Sequence, residues 1–298
     1  MRGIRRQHRH RHPGTTRRWG RRVAGASLPL LVLATAACSP SAPDTADSAA
    51  RTEWTMDFTS VASVGDSITR GFHACGVLSD CPEVSWATGS DPRLRSLAQR
   101  LLKQPVTEEN AGNFAKTGAS MADLPGQIEA AMAQRPDLVT VLMGANDACQ
   151  DSAEEMTPVD EFRADFGYAL RTVRRASPET RVYVSSIPDL QRLWTEGRED
   201  PMARQIWQLG VCPSMLKDPD AMDQASVDRR KAVTARVSAY NEVLRDVCRK
   251  DKLCRYDGGA VFDVRFTRSL LSTWDYFHPG KSGQERLAEI AYGKITER

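Results

Sequence analysis

Short apolar runs alternate with longer amphipathic stretches along most of this chain. "TSVASVG" (59–65) has the length of a buried strand, and it stops abruptly at Gly65-Asp66-Ser67, with a helical pattern following. "DPRLRSLAQRLLKQ" (91–104) spaces Leu94, Leu97, Leu101 and Leu102 along one helix face, and "PVTEENAG" (105–112) reads as a second strand. "MADLPGQIEAAMAQRP" (121–136) predicts a helix punctuated by Pro136. "DLVTVLMG" (137–144) is apolar on both faces, as a central parallel strand requires. A helix over 159–176, a strand over 181–188, a long helix over 228–250 and a closing helix over 280–295 complete the pattern.

Strands alternating with helices of this length predict βαβ units and an α/β fold, its parallel sheet covered on both faces. Ligands of such sheets sit beyond the carboxyl ends of the strands, which is where Ser67 falls. The segment 188–227 breaks the alternation and carries Trp194, Trp207 and Cys212. A connection of that length reads as a lid or pocket wall beside the site, or else as an inert surface excursion.

The ends of the chain change the charge picture. Residues 1–37 hold nine arginines, no acid, and the apolar stretch "VAGASLPLLVLATAA" before Cys38. A basic start, an apolar stretch too short to span a bilayer and small residues before a cut describe an export signal. Cys38 after "ATAA" resembles a lipoprotein processing site, although Thr35 stands where leucine is usual; secretion with cleavage nearby is the other reading. The paired Arg17-Arg18 raises twin-arginine export, but the residues after it fit that signal poorly. Residues 39–53, "SPSAPDTADSAARTE", are small and polar like a flexible tether. The expected organisation is therefore a signal over 1–37, a tether over 38–53 and one domain over 54–298. The leader's arginines exceed the net charge of +3, so the remaining chain is acidic, which argues against nucleic-acid binding.

Six cysteines follow Cys38, and an even number in an exported chain points to disulfides. Many pairings are open. The close pairs Cys75–Cys81 and Cys248–Cys254 are sterically easy, which leaves Cys149 for Cys212. A zinc site is disfavoured, because C-x₂-C spacing is absent and only His73 and His278 lie beyond the leader.

Three further stretches bear on Ser67. "NFAKTGAS" (113–120) places Gly118 in a loop ahead of a helix, and "MGANDAC" (143–149) places Asn146 just after the clearest strand. "WDYFHPGKSG" (274–283) places Asp275 three residues before His278. Acyl transfer needs a nucleophile, a base, a group to orient the base, and donors for a developing oxyanion. Ser67 can attack, His278 can take its proton, and Asp275 can fix the imidazole tautomer. The backbone N–H groups of Ser67 and Gly118 and the side-chain amide of Asn146 are the oxyanion candidates. His73 is the rival base, but no carboxylate at short sequence spacing would orient it. Ser67 could instead be a helix N-cap. Asp66 reads as structural, bonding its own turn, Asp147 as a helix-start residue, and Trp274 as packing or substrate contact.

"GDSIT", the Gly118 loop, "GAND" and "DYFHP" resemble, in order, the four sequence blocks of the SGNH (GDSL-type) hydrolase superfamily. Ser67, Gly118, Asn146 and His278 match its four named residues, and Asp275 matches the usual triad acid. The departure is isoleucine at position 68 where leucine is common. "GANDAC" and "CPSML" are also similar to segments of actinobacterial secreted esterases and lipases and of the phospholipase B-like branch, which carry disulfides near the site. The resemblance implies a flavodoxin-like three-layer α/β/α sandwich with a parallel five-stranded sheet.

The function expected is a secreted or lipid-anchored serine ester hydrolase working through an acyl-enzyme, with no metal or organic cofactor. Its substrate would be a small-molecule, lipid or acylated-glycan ester. The protein would be a monomer that meets a membrane only through a lipid anchor at Cys38, and it would lie outside the cell or on the membrane's outer face. An O-acetyl carbohydrate esterase and an acyltransferase are alternatives within the same chemistry. A non-catalytic envelope-binding lipoprotein is the alternative of another class, and retention of all five site residues argues against it.

Overall fold

The computed structural model describes residues 54–297. The expected signal, the tether and Cys38 lie outside the described residues. Five strands, β1 (Val61–Gly65), β2 (Ala111–Asn113), β3 (Leu138–Leu142), β4 (Arg181–Val184) and β5 (Cys254–Tyr256), form one sheet. They lie in the order β2-β1-β3-β4-β5, and every pairing is parallel. β1 and β3 are buried at every position, which is why both read as continuous apolar runs rather than alternating ones. β5 is half-buried with the sequence CRY, so it carries no apolar run for a sequence reading to find.

Nine helices are described: α1 (Leu97–Leu101), α2 (Leu124–Met132), α3 (Ala145–Ala148), α4 (Val159–Ala176), α5 (Leu190–Gly197), α6 (Pro201–Trp207), α7 (Pro213–Leu216), α8 (Gln224–Cys248) and α9 (Lys281–Thr296). Right-handed crossovers decide their layers. The connection from β1 to β2 runs one way along the sheet, whereas those from β2 through β5 run the other. α1 therefore covers one face, and α2, α4 and α8 cover the opposite face. The contacts agree: α2 packs on α4 and α4 on α8, while α1 packs on α9. α4 shows how its sequence sets this, burying Phe162, Phe166, Ala169, Leu170 and Val173 along one stripe, with Asp160 and Glu161 in its first turn and Arg174 and Arg175 in its last. The direction of the connections reverses at β1, so the crevice for a ligand lies beyond its carboxyl end.

The structure differs from the sequence reading in several regions, among them β2, which occupies only the end of the stretch expected over 105–112 and runs one residue past it. The helix expected over 91–104 shortens to α1, because Asp91–Arg95 is turn; a Ser96/Gln99 capping box starts the helix instead. The segment 188–227 is not an irregular connection. It folds into α5, α6 and α7, and Trp194 and Trp207 are buried in the core. Trp194 lies between the guanidinium groups of Arg198 and Arg230, 4.7 and 4.2 Å from its ring centre, and its indole N–H donates to Pro219 O. The segment's tryptophans thus pack inward, into the core.

The structure joins Cys75 to Cys81, Cys149 to Cys212 and Cys248 to Cys254. Cys149–Cys212 fastens the end of α3 to the start of α7, and Ser214 Oγ donates to Ala148 O beside it. This bridge spans 63 residues and Cys248–Cys254 spans 6. Chain entropy alone assigns about 4 kcal/mol to the longer loop and about 2 kcal/mol to the shorter. Replacing Cys149 and Cys212 with alanine is therefore expected to lower the denaturation midpoint more than the same change at Cys248 and Cys254. Equal losses in chemical denaturation would contradict this.

Candidate active site

The turn that carries Ser67, the candidate nucleophile, is held by side chains far away in sequence. β1 ends at Gly65, whose N–H donates to Gln127 Oε1 (2.8 Å) and whose C=O accepts from Gln127 Nε2 (2.9 Å) and from the Lys116 N–H (3.1 Å). A Cβ on Gly65 would lie 2.4 Å from Leu142 O and 2.6 Å from Thr69 Oγ1, so only glycine fits. Asp66 Oδ1 accepts from the Ile68 N–H, the local bond expected of it. Ile68 O accepts from Gln284 Nε2 (2.8 Å), and Gln284 Oε1 accepts from the Trp86 N–H (2.9 Å). Residues 66–74 form turns rather than the helix expected there, so Ser67 caps nothing.

Ser67 Oγ meets His278 Nε2 at 2.7 Å, and His278 Nδ1 meets Asp275 Oδ2 at 2.5 Å. Asp275 Oδ1 accepts from the N–H groups of Phe277 and His278, both at 3.0 Å. Ser272 organises this turn: its N–H donates to His278 O, its C=O accepts from the Tyr276 N–H, and its Oγ accepts from the Trp274 N–H. Asp275 is buried, which works against its charge. The hydrogen bond and charge of His278 and the two backbone N–H groups outweigh that, holding its carboxyl below the ordinary range.

Gly118 and Asn146 follow β2 and β3, the two neighbours of β1. Gly118 has φ +83°, and a Cβ there would meet nothing within 4 Å, so the backbone conformation, not crowding, calls for glycine. Among the described residues neither the Ser67 nor the Gly118 N–H donates a hydrogen bond within the protein. Asn146 Nδ2 donates to Ala119 O (2.8 Å), tying the two loops together and leaving its second amide hydrogen for another acceptor. Asp147 Oδ2 accepts from the Met121 N–H, so this residue anchors the same loop.

Sequence spacing concealed several contributors. Asp275, distant in sequence, lies against His73, its Oδ2 3.3 Å from His73 Nδ1; a carboxylate does approach this ring, though none at short sequence spacing. Gln127 and Gln284 sit on helices as ordinary amphipathic polar residues, and nothing local marks their role. Asp80 joins the stapled 75–81 loop to the Gly118 loop through Thr117 Oγ1 (2.5 Å) and to the nucleophile turn through Arg70 Nε (3.2 Å). The grouping with metal-ligand spacing among the described residues, Cys75, Cys81 and Glu83, has its two sulfurs joined in a disulfide.

Burial pushes Asp66 up to about 7, with Asp147 adding to the shift and the Ile68 N–H and His278 opposing it. Burial likewise raises Asp147 above the ordinary carboxylate range. A folded-state value above the unfolded 3.8 means that the native protein holds an extra proton between them. The stability contributed is full below pH 4 and is lost as pH rises through about 7. Asp66→Asn keeps an acceptor for Ile68 and removes the charge. Its melting temperature, relative to wild type, should therefore rise by about 5 °C or more between pH 4 and pH 8. A difference that stays constant with pH would refute the assignment.

The sequence profile of the GDSL-like Lipase/Acylhydrolase family matches residues 63–286, from β1 to α9. No curated protein matches the sequence. Among solved structures, the chain is similar to the psychrotrophic esterase EstA from Pseudoalteromonas sp., at 15% identity and a TM-score of 0.46 over 80% of this chain and 97% of that one. It is similar to a Clostridium thermocellum family 3 carbohydrate esterase at 14% identity and a TM-score of 0.45, over 79% of this chain and 94% of that one. A family two carbohydrate esterase from the same organism gives 14% and 0.44, over 80% of this chain and 64% of that one. With its four sequence blocks inside the matched span, the chain belongs to the GDSL-like lipase/acylhydrolase family.

Proposed function

We propose that this protein is an exported serine hydrolase that cleaves carboxylic esters through an acyl-enzyme. The observation that carries the reading is the continuous relay Ser67 Oγ–His278 Nε2–His278 Nδ1–Asp275 Oδ2, with separations of 2.7 and 2.5 Å. His278 takes the Ser67 proton as Oγ bonds to the acyl carbon. The tetrahedral oxyanion is met by the N–H groups of Ser67 and Gly118 and by the free amide hydrogen of Asn146. Collapse expels the alkoxide, which receives the proton from His278. Water then attacks the acyl-enzyme by the same route, releasing the acid and restoring Ser67. Three disulfides support an oxidising, exported location; Cys38 as a lipid anchor is part of this proposal.

Acyl esters are favoured over acetylated glycans by exposed apolar groups near the relay. Trp274, directly before Asp275, is half exposed, and Val77 and Leu78 project from the stapled loop. Covalent labelling by a fluorophosphonate tests the chemistry. Wild type should label, while Ser67→Ala should not label and should lose at least about 10³-fold in turnover. Absence of labelling in wild type would sink the reading. An ester panel run with acetylated xylan and phospholipid tests the substrate class. Trp274→Ala should raise KM for octanoyl esters more than for acetyl esters. Equal effects, or a preference for acetylated xylan, would instead favour the carbohydrate esterase.

A further inference from the structure

One buried imidazole is left outside the relay just described. His73 is 7% exposed, and neither ring nitrogen has a hydrogen-bond partner among the described residues. Buried polar atoms are normally paired, so the exception calls for a cause. Its Nδ1 lies 3.3 Å from Asp275 Oδ2, the oxygen that His278 Nδ1 meets at 2.5 Å. The contact is short enough for a hydrogen bond but out of line for one.

The backbone is shaped to put the ring there. His73 has φ 63°, a left-handed conformation uncommon for a residue other than glycine. Its N–H donates to Ser79 O (3.0 Å), and its C=O accepts from Ser272 Oγ (2.8 Å), the residue that organises the Asp275 turn. The ring stacks on Phe72 with centroids 4.1 Å apart, and Cys75–Cys81 closes the loop two residues later.

Tautomer chemistry then decides what the ring offers. With the proton on Nε2, a buried N–H would lack an acceptor, and the bare Nδ1 lone pair would face a carboxylate oxygen. With the proton on Nδ1, the donor faces that oxygen and only a neutral lone pair goes unmatched, the smaller cost. Burial disfavours the doubly protonated ring, and His278 adds to this while Asp275 opposes it.

We propose that His73 is a positioning residue of the active site, a neutral Nδ1–H imidazole whose N–H is directed at Asp275 Oδ2, extending the relay to Ser67–His278–Asp275–His73. Asp275 then has one oxygen held by two backbone N–H groups and the other by His278, with His73 Nδ1 3.3 Å from that same oxygen. Held from both sides, the carboxylate keeps the orientation that fixes His278. The kinetic consequence rests on the serine-hydrolase reading; the tautomer does not.

The test begins with ¹⁵N NMR of the full-length protein labelled at histidine, with the His73 ring assigned through bonds to its backbone. A protonated Nδ1 and a bare Nε2 at pH 7.5 are expected. An Nε2–H tautomer, or a charged ring, overturns the proposal. Kinetics of His73→Leu and His73→Asn follow, with folding checked by circular dichroism. Asparagine tolerates positive φ and carries an amide donor near the Nδ1 position; leucine carries none. His73→Leu should lose about 10- to 100-fold in kcat with KM within about twofold, and His73→Asn should recover most of the loss. Wild-type kcat in His73→Leu, or no recovery in His73→Asn, overturns the role. Should His73→Leu fail to fold, the tautomer decides. Absence of fluorophosphonate labelling in wild type would overturn the hydrolase reading but leave the tautomer result standing.

Discussion

A single side-chain amide, that of Gln127, holds the peptide on which the site is built. The ladder of β1 ends at Gly65, where a buried backbone N–H and C=O need partners. Gln127 meets both groups from α2. Because Gln127 is itself buried, breaking either bond would strand polar atoms away from water, which costs more than the bond's net contribution. Gly65 has no room for a Cβ, so the pairing cannot slip to a neighbouring residue. The next turn is fixed in the same manner, with Gln284 bridging Ile68 O and the Trp86 N–H. Between two such clamps the Ser67 hydroxyl is presented from a backbone with little freedom to move. Preorganisation of this kind is what a nucleophile requires.

The second clamp links the two ends of the domain. Gln284 belongs to α9, and His278 precedes that helix by three residues. Docking α9 against α1 therefore places His278 and completes the hold on the Ser67 turn together. Ser272 adds a third tie, because its hydroxyl reaches the His73 carbonyl, 199 residues away in sequence, while its backbone frames the Asp275 turn. The Ser67–His278 bond spans 211 residues. The chemistry thus depends on contacts with large loop-closure cost, formed only once the sheet has assembled.

Much of this was legible in the chain, for identifiable reasons. β1 and β3 declare themselves because parallel strands buried on both faces must be continuously apolar, and α4 because one helical stripe must be. Ser67, Gly118, Asn146 and His278 were legible because each sits at a strand end or helix start next to a glycine or proline punctuation. β5 was not legible, since CRY meets the sheet through backbone bonds and only half-buried side chains. The roles of Gln127, Gln284 and His73 were hidden for another reason. Each acts on a partner at least 62 residues away, and no local spacing encodes that. The aromatics of 188–227 misled because a tryptophan lining a pocket and one filling a core look alike in sequence. Their burial in the core shows which it is.

Some of the buried polar atoms without partners lie around the site. Of the ten such atoms among the described residues, Asp66 Oδ2, both His73 ring nitrogens and Asp147 Oδ1 belong to segments that frame Ser67 and Asp275. A fold selected for stability alone would pair or replace them, so their retention marks a place where local cost is tolerated. The cost has a common origin. Excluding water strengthens the Asp275–His278 interaction, since electrostatic forces grow as the dielectric falls, and the same exclusion drives Asp66 and Asp147 towards their neutral forms. Asp275 escapes because it alone of the three carboxylates is served by two backbone N–H groups and an imidazole. One dry environment thus keeps a single carboxylate charged where the base needs it and disfavours charge on its neighbours. The donors that Asp275 receives outweigh its burial, whereas those of Asp66 and Asp147 do not.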